Sequence, residues 1–285
     1  MITEKSFVLP ATFPGSKLGE DGLRSVLEQL FPLGINTIEY YNVNVSPDRI
    51  SEMMQGKRSI FLAGTRQKAE NLIPCSLERD VREKAVTGLG ECFHIARQAG
   101  ASAVMLSSGK RPEDEKDDDE CMKVLIDSLG RLHELEPELP ILLENGDRDV
   151  EYRHLLGPTE WTVDFIKRCR NQGIPLGLVF DMSHAAQLGE DLLKAWGVGR
   201  TVCSNVHLAN CILKKNHPLY GDKHPFFDVP DGVYTGNDAL NFIALLQKEK
   251  APLTVSLEII CPAGEDEREF FERIKALHPW FFSAL

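Results

Sequence analysis

The chain has no run approaching the roughly 18 consecutive apolar residues that a membrane-spanning helix requires. Its opening segment, Met1 to Pro10, lacks a basic stretch followed by a long apolar one, so no signal peptide is expected. No C-x-x-C pair occurs: Cys75, Cys92, Cys121, Cys169, Cys203, Cys211 and Cys261 are scattered and odd in number. That is the usage of reduced thiols in a cytoplasmic protein, not of a disulfide framework. Positive charge is scarce. The 32 Lys and Arg face 43 Asp and Glu, and the net charge of -11 opposes binding to nucleic acid or to an anionic membrane. H-E-x-x-H, G-x-S-x-G and a complete P-loop are missing, and Gly109-Lys110 lacks the upstream glycine that a P-loop needs.

What the chain does have is a repeating beat of short β-rich apolar runs and longer amphipathic segments. The spacing predicts strands over Ser6–Ala11, Asn36–Tyr41, Ser59–Ala63, Ser102–Ser107, Pro140–Glu144, Leu176–Asp181, Asn205–Leu208 and Leu253–Ile259. Helices are predicted over Leu23–Leu33, Pro47–Met54, Leu77–Ala99, Glu120–Leu135, Thr159–Asn171, Leu188–Trp196, Asp238–Gln247 and Glu267–Leu277, with Ser46 and Thr159 as capping residues. Runs such as Leu178-Val179-Phe180 are apolar without interruption, as in a parallel sheet covered by helices. Eight β-then-α units in 285 residues without a linker predict one (β/α)8 TIM barrel domain spanning residues 1–285. An open doubly wound sheet would want G-x-G-x-x-G after its first strand, and Pro10–Gly19 has none.

Four successive strands end in a group that binds hard metal ions: Glu144, Asp181, His207 and Glu258. In a barrel all strands open on the same face at their C-terminal ends, so these side chains can meet. Three buried carboxylates would repel one another without a cation or shared protons. With one imidazole they suit manganese, magnesium, cobalt, iron or zinc, and leave positions open for water or substrate oxygens.

The ordered set Glu144, D-M-S-H (Asp181 to His184), V-H-L-A-N and L-E (Glu258) resembles the xylose-isomerase-like TIM barrel superfamily. This group includes sugar isomerases and epimerases, inosose dehydratases and endonuclease IV. The resemblance implies one divalent ion, manganese first, held by Glu144, Asp181, His207 and Glu258. It implies substrate contacts from His184, and Asp222-x-His224 in the seventh loop resembles the D-x-H of endonuclease IV. Departures from the nuclease matter. Phe61–Gly64 and Met105–Gly109, where strands three and four end, offer none of the extra histidines of its trinuclear cluster.

The expected function is therefore that of a metal-dependent isomerase or epimerase of a sugar, ketose or related hydroxy-ketone, proceeding through an enediolate. Glu144 and Glu258 would be the acid and base. A dehydratase of the inosose or dehydroshikimate type is the alternative, ahead of a nuclease and of a non-catalytic sugar-binding barrel. The expected partner is a small polyhydroxylated molecule, with no nucleic acid and no membrane, and a homo-oligomer is compatible. Glu39 is read either as lining the barrel mouth or as a structural hydrogen-bonding residue. Lys214, Lys215 and Lys223 are the candidates for meeting an anionic group.

Overall fold

The apolar runs become the staves of a single parallel sheet. The computed structural model describes residues 1–283. In chain order the elements are β1 (Ile2–Phe7), α1 (Leu9–Thr12), α2 (Glu20–Leu30), β2 (Thr37–Tyr40), α3 (Pro47–Met54), β3 (Arg58–Leu62), α4 (Ala63–Glu70), α5 (Arg79–Gln98), β4 (Ala103–Ser107) and α6 (Asp118–Leu135). Then follow β5 (Ile141–Glu144), α7 (Thr159–Asn171), β6 (Leu176–Asp181), α8 (Met182–Gln187), α9 (Leu192–Gly199), β7 (Cys203–Leu208), α10 (Gly236–Leu246), β8 (Leu253–Leu257) and α11 (Glu267–Leu277). Neighbouring strands pair in parallel from β2 through to β8, and β8 pairs with β1. Between β1 and β2 the ring closes through one isolated parallel bridge, Val8 to Glu39, and a hydrogen bond of 2.9 Å from Thr37 Oγ1 to Glu4 Oε2. The result is a (β/α)8 TIM barrel. Among the described residues no helix is long and apolar enough to cross a membrane.

Strand alternation decides what the interior holds. Residues two apart face the same side of a strand. Ile38, Tyr40, Phe61, Val104, Leu143, Phe180, Val206 and Leu257 join the large core under the helices. Val8, Ile60, Leu62, Ala103, Met105, Leu142 and Val179 form a separate buried cluster, the packed plug of the barrel. The plug is apolar toward β3 to β6. The same inward parity on β7, β8 and β2 selects Asn205, His207, Thr254, Ser256, Thr37 and Glu39, all buried. One half of the interior is thus polar, and the site forms at the mouth where it meets the ends of β5 and β6.

Several expectations need correction. The first strand runs earlier than Ser6–Ala11: it pairs Ile2 with Leu253 and Phe7 with Leu257, then turns into α1. Pro10 explains the stop, because it cannot donate to a ladder and its fixed φ suits a first helical turn. The helix expected over Leu188–Trp196 starts and ends later, as α9, and the short helix α8 precedes it. Asp181 caps α8, Gly189 breaks the chain at φ +71°, and Asp191 caps α9 through Lys194 N. Ser46 occupies the N-cap of α3 without a side-chain cap. Thr159 is the first helical residue rather than the cap of α7, and its N–H and hydroxyl both donate to Glu190. The eighth strand ends at Leu257, so Glu258 lies one residue beyond it, tied to β7 by its N–H to Leu208 O at 3.1 Å. Helix α4 was not anticipated.

Candidate metal centre

Inward parity at the C-terminal ends of β5 to β8 brings Glu144, Asp181, His207 and Glu258 together, with one ligand atom from each lying within 4.8 Å of the others. His207 is at the middle. Its Nδ1 lies 3.1 Å from Glu144 Oε1, 2.7 Å from Glu258 Oε2 and 3.9 Å from Asp181 Oδ2. Asp181 and His207 are fully buried; Glu144 and Glu258 keep 12% and 15% exposure of their side chains, so only these two reach the open cleft.

Each ligand is aimed by its surroundings. Asp181 Oδ1 accepts from Ser183 N (2.6 Å), His184 N (3.0 Å) and Ser183 Oγ (2.5 Å), which starts α8 and leaves Oδ2 facing the cluster. His207 Nε2 is bonded at 2.9 Å to Glu39 Oε2, which turns Nδ1 toward the carboxylates. Glu39, fully buried, is itself held by Asn205 Nδ2 at 3.2 Å and by Ser256 Oγ. Of the two readings of Glu39, the structure favours the hydrogen-bonding one, in the carboxylate–histidine pairing that commonly supports a metal-bound imidazole.

Whether these residues suit a metal ion is tested by their unmet bonds. Asp181 Oδ2, His207 Nδ1 and Glu258 Oε2 are buried, face one another and have no hydrogen-bond partner of adequate geometry. Orphaned buried polar atoms are rare and costly, and three around one point suit a bound cation. The donor set, three carboxylates and an imidazole, fits a divalent ion. Without an ion, charge is balanced by protons. Burial works against a charged His207, but the negative charges of Glu39 and Glu258, with Glu144 beside the ring, outweigh it and raise its pKa well above the usual value. Burial likewise pushes Glu144 up, but His207, His184 and Lys68 pull it down to about 2.

The remaining sequence candidates form the adjoining wall. His184 Nδ1 lies 2.9 Å from Gln187 Oε1 and its Nε2 3.8 Å from Asp222 Oδ1. His224 Nε2 is 2.7 Å from the same oxygen and 3.9 Å from Glu258 Oε1. Burial opposes charge on His224, and Asp222 and Glu258 raise it to about 10. His224 sits at φ +34°, a left-handed backbone rare for a side chain of this size, held by Ile260 N donating to its carbonyl at 2.9 Å. All seven sequence candidates therefore lie at one barrel mouth. Glu144, Asp222, His224 and Glu258 line a cleft of about 370 Å³ that is also walled by Val8, Leu62, Met105, Tyr152 and Lys68.

The sequence reading missed Lys68. Its ammonium lies 2.9 Å from Asp222 Oδ2 and 4.1 Å above the Tyr152 ring. Burial lowers its pKa, but Asp222, Glu144 and Tyr152 more than offset this and raise it above the usual lysine value. The lysines singled out from sequence do not line this cleft. Lys214 pairs with Asp231, Lys223 pairs with Glu151, and Lys215 is exposed. Phe226 and Phe227 anchor the seventh loop against the His278 ring rather than closing over the cleft.

Comparison with known proteins adds the family. The family described as xylose isomerase-like TIM barrel matches residues 33–278. A sequence search of curated proteins finds no match. Among solved structures, the IolI protein with a binding zinc atom is 17% identical with a TM-score of 0.72, over 99% of this chain and 98% of that one. L-ribulose 3-epimerase is 14% identical with a TM-score of 0.69, over 99% and 95%. Endonuclease IV from Thermus thermophilus is 16% identical with a TM-score of 0.64, over 98% and 100%. At such identities the likeness shows the shared fold, and it spans isomerising and nucleolytic chemistries alike.

Proposed function

The chain belongs to the xylose isomerase-like TIM barrel family, and from that premise we propose that it is a divalent-metal-dependent isomerase or epimerase of a sugar, ketose or related hydroxy-ketone. The observation that carries this reading is the convergence of Glu144, Asp181, His207 and Glu258 with three of their buried atoms unmet. The likeness to an L-ribulose 3-epimerase and to the zinc-bound IolI protein agrees with it. Manganese remains the first choice of ion from the family resemblance, and one ion per chain the expected number.

When bound, such an ion supplies a Lewis acid that polarises a carbonyl and stabilises negative charge on vicinal oxygens. The protein's own groups do the rest. Glu144 and Glu258 reach the cleft from strands three apart, so their carboxylates face a bound ligand from different sides. One takes the proton from the carbon beside the carbonyl, and the other returns a proton. Return to the opposite face of the same carbon gives the epimer; return to the neighbouring carbon gives the isomer. Asp222 accepts from substrate hydroxyls, and His184, His224 and Lys68 donate to them. Val8, Leu62 and Met105 give the cleft an apolar wall against which the carbon skeleton of the ligand packs.

The test is proton exchange. Manganese-loaded enzyme is incubated in deuterated water with a panel of ketoses, cyclitols and hydroxy-keto acids, and deuterium at carbon is read by mass spectrometry. Uptake is expected for at least one member, reduced by about 10²-fold or more in Glu144→Gln and Glu258→Gln, with metal content measured alongside. No uptake with any member refutes proton-transfer catalysis. Appearance of an ultraviolet-absorbing enone product moves the assignment to the dehydratase.

A further inference from the structure

Beside the four-ligand centre lies a second group of metal-binding character. Asp181, His184 and His224, all buried, offer ligand atoms within 4.8 Å of one another. Asp222 sets a carboxylate between the two imidazoles, its Oδ1 2.7 Å from His224 Nε2 and 3.8 Å from His184 Nε2. That oxygen is buried without a hydrogen bond of adequate geometry, and the side chain is 3% exposed. By donor chemistry alone this is a place for another cation.

The position is already served by one. Lys68 places its ammonium 2.9 Å from the other oxygen of Asp222 and over the Tyr152 ring. Its placement is built in. The preceding residue, Gln67, is buried and clamps α4 to β4, donating to Ser107 O at 3.0 Å and accepting from Ser107 N at 3.0 Å. Tyr152 is fixed in turn by its N–H to Asp147 Oδ2 at 2.9 Å, and Asp222 by its N–H to Glu151 Oε2 at 2.8 Å. Helix α4 and two separate loops therefore hold the pair together. An ion seated on Asp222 Oδ1 would face the ammonium across a single carboxylate. Like charges at such a distance repel strongly even at an effective dielectric of about 20.

We propose that Lys68 is the built-in second cation of this site: it neutralises Asp222 and keeps a second metal ion off the His184–Asp222–His224 group. The chain then binds one ion, and those three side chains stay free to bind the hydroxyls of a small polyhydroxylated ligand. This rests on the metal centre of the preceding subsection.

The experiment counts ions and needs no turnover. Chelator-stripped wild type, Lys68→Met, Lys68→Arg and the double variant Lys68→Met/His224→Ala are reloaded with zinc. Stoichiometry is read by native mass spectrometry and elemental analysis, and folding by circular dichroism. One ion is expected in wild type and in Lys68→Arg, two in Lys68→Met, and one again in the double variant. Two tightly held ions in the wild type overturn the proposal, as does a single ion in a folded Lys68→Met, which leaves the four-ligand centre standing. A wild type that binds none overturns the centre itself and this inference with it.

Discussion

Replacing Glu39 with glutamine tests whether the centre depends on what stands behind its ligands. Glu39 is fully buried and does not line the cleft; it accepts from His207 Nε2 at 2.9 Å, Asn205 Nδ2 at 3.2 Å and Ser256 Oγ. Glutamine matches its size but has one acceptor oxygen. If that oxygen faces His207, the amide NH2 meets the Asn205 donor, and one buried hydrogen bond is lost. If the amide is reversed, NH2 meets Nε2 and drives the imidazole to the tautomer protonated on Nδ1, the atom that faces the ligand cluster. Loss of such a supporting partner typically weakens metal binding by about 10–100-fold, or about 1.4–2.7 kcal/mol. The metal-free protein should respond differently. Glu39 is one of four carboxylates around a single buried imidazole, so its neutralisation removes one partner of the imidazolium but relieves repulsion with the other three, which offsets the lost hydrogen bond, worth about 1 kcal/mol. Competition against a chromophoric zinc chelator should therefore show a Kd weakened by at least tenfold, while the melting temperature of the stripped protein stays within a few degrees of wild type. A Kd within threefold of wild type would refute the reasoning. A collapse of the stripped protein would show that Glu39 serves folding first.

Three further outcomes follow from the same geometry. A metal ion at about a hundredfold excess over its Kd should stabilise the fold by about 2.7 kcal/mol, some 5 °C or so for a chain of this size; scanning calorimetry with and without chelator should show the shift, and His207→Ala should abolish it. Burial, with the charges of Lys68 and His184, lowers the pKa of His154 to about 4. The unfolded chain thus takes up a proton between about pH 6.5 and 4 that the native state refuses, so this contribution is whole above pH 6.5 and is lost as pH falls through 4, up to about 3 kcal/mol. Denaturant titrations should show a shallower acid loss in His154→Gln than in wild type, and equal slopes would reject the assignment. A Cβ on Gly146 would lie 2.1 Å from His154 Nδ1, so Gly146→Ala should cost about 1–3 kcal/mol by overpacking, read from the same titrations.

The four ligands were legible because two simple periodicities coincide there. A parallel barrel gathers its strand ends on one face, and the alternation of each strand sends Glu144, Asp181, His207 and Glu258 inward. Strand limits were less legible where a local residue overrides the apolar pattern, as Pro10 does by ending β1 early. Glu39 was visible only as a polar residue in a strand; its partner His207 lies across the barrel, and no local pattern announces a contact 168 residues away. Lys68 was hidden for another reason. The stretch Ala63–Glu70 buries only Ala63 and Gln67, so it shows no amphipathic stripe, and neither the helix nor the direction of its lysine could be read. The lysines chosen from the seventh loop were conspicuous because loops hold many charges, and exposed acids satisfy Lys214 and Lys223 instead.

The cap that Asp181 provides for α8 has a consequence for which ions the centre accepts. With Oδ1 spent on two backbone amides and a hydroxyl, this carboxylate can offer only Oδ2; its denticity is set at one before any ion arrives. His207 adds a nitrogen donor where calcium would want oxygen. An ion such as calcium, which gathers six to eight oxygens and draws readily on bidentate carboxylates, finds too few of them here, whereas a smaller ion content with fewer donors does not. The turn of helix that begins at Asp181 thus acts as a filter on ionic size and hardness, written into the backbone rather than into the ligand list.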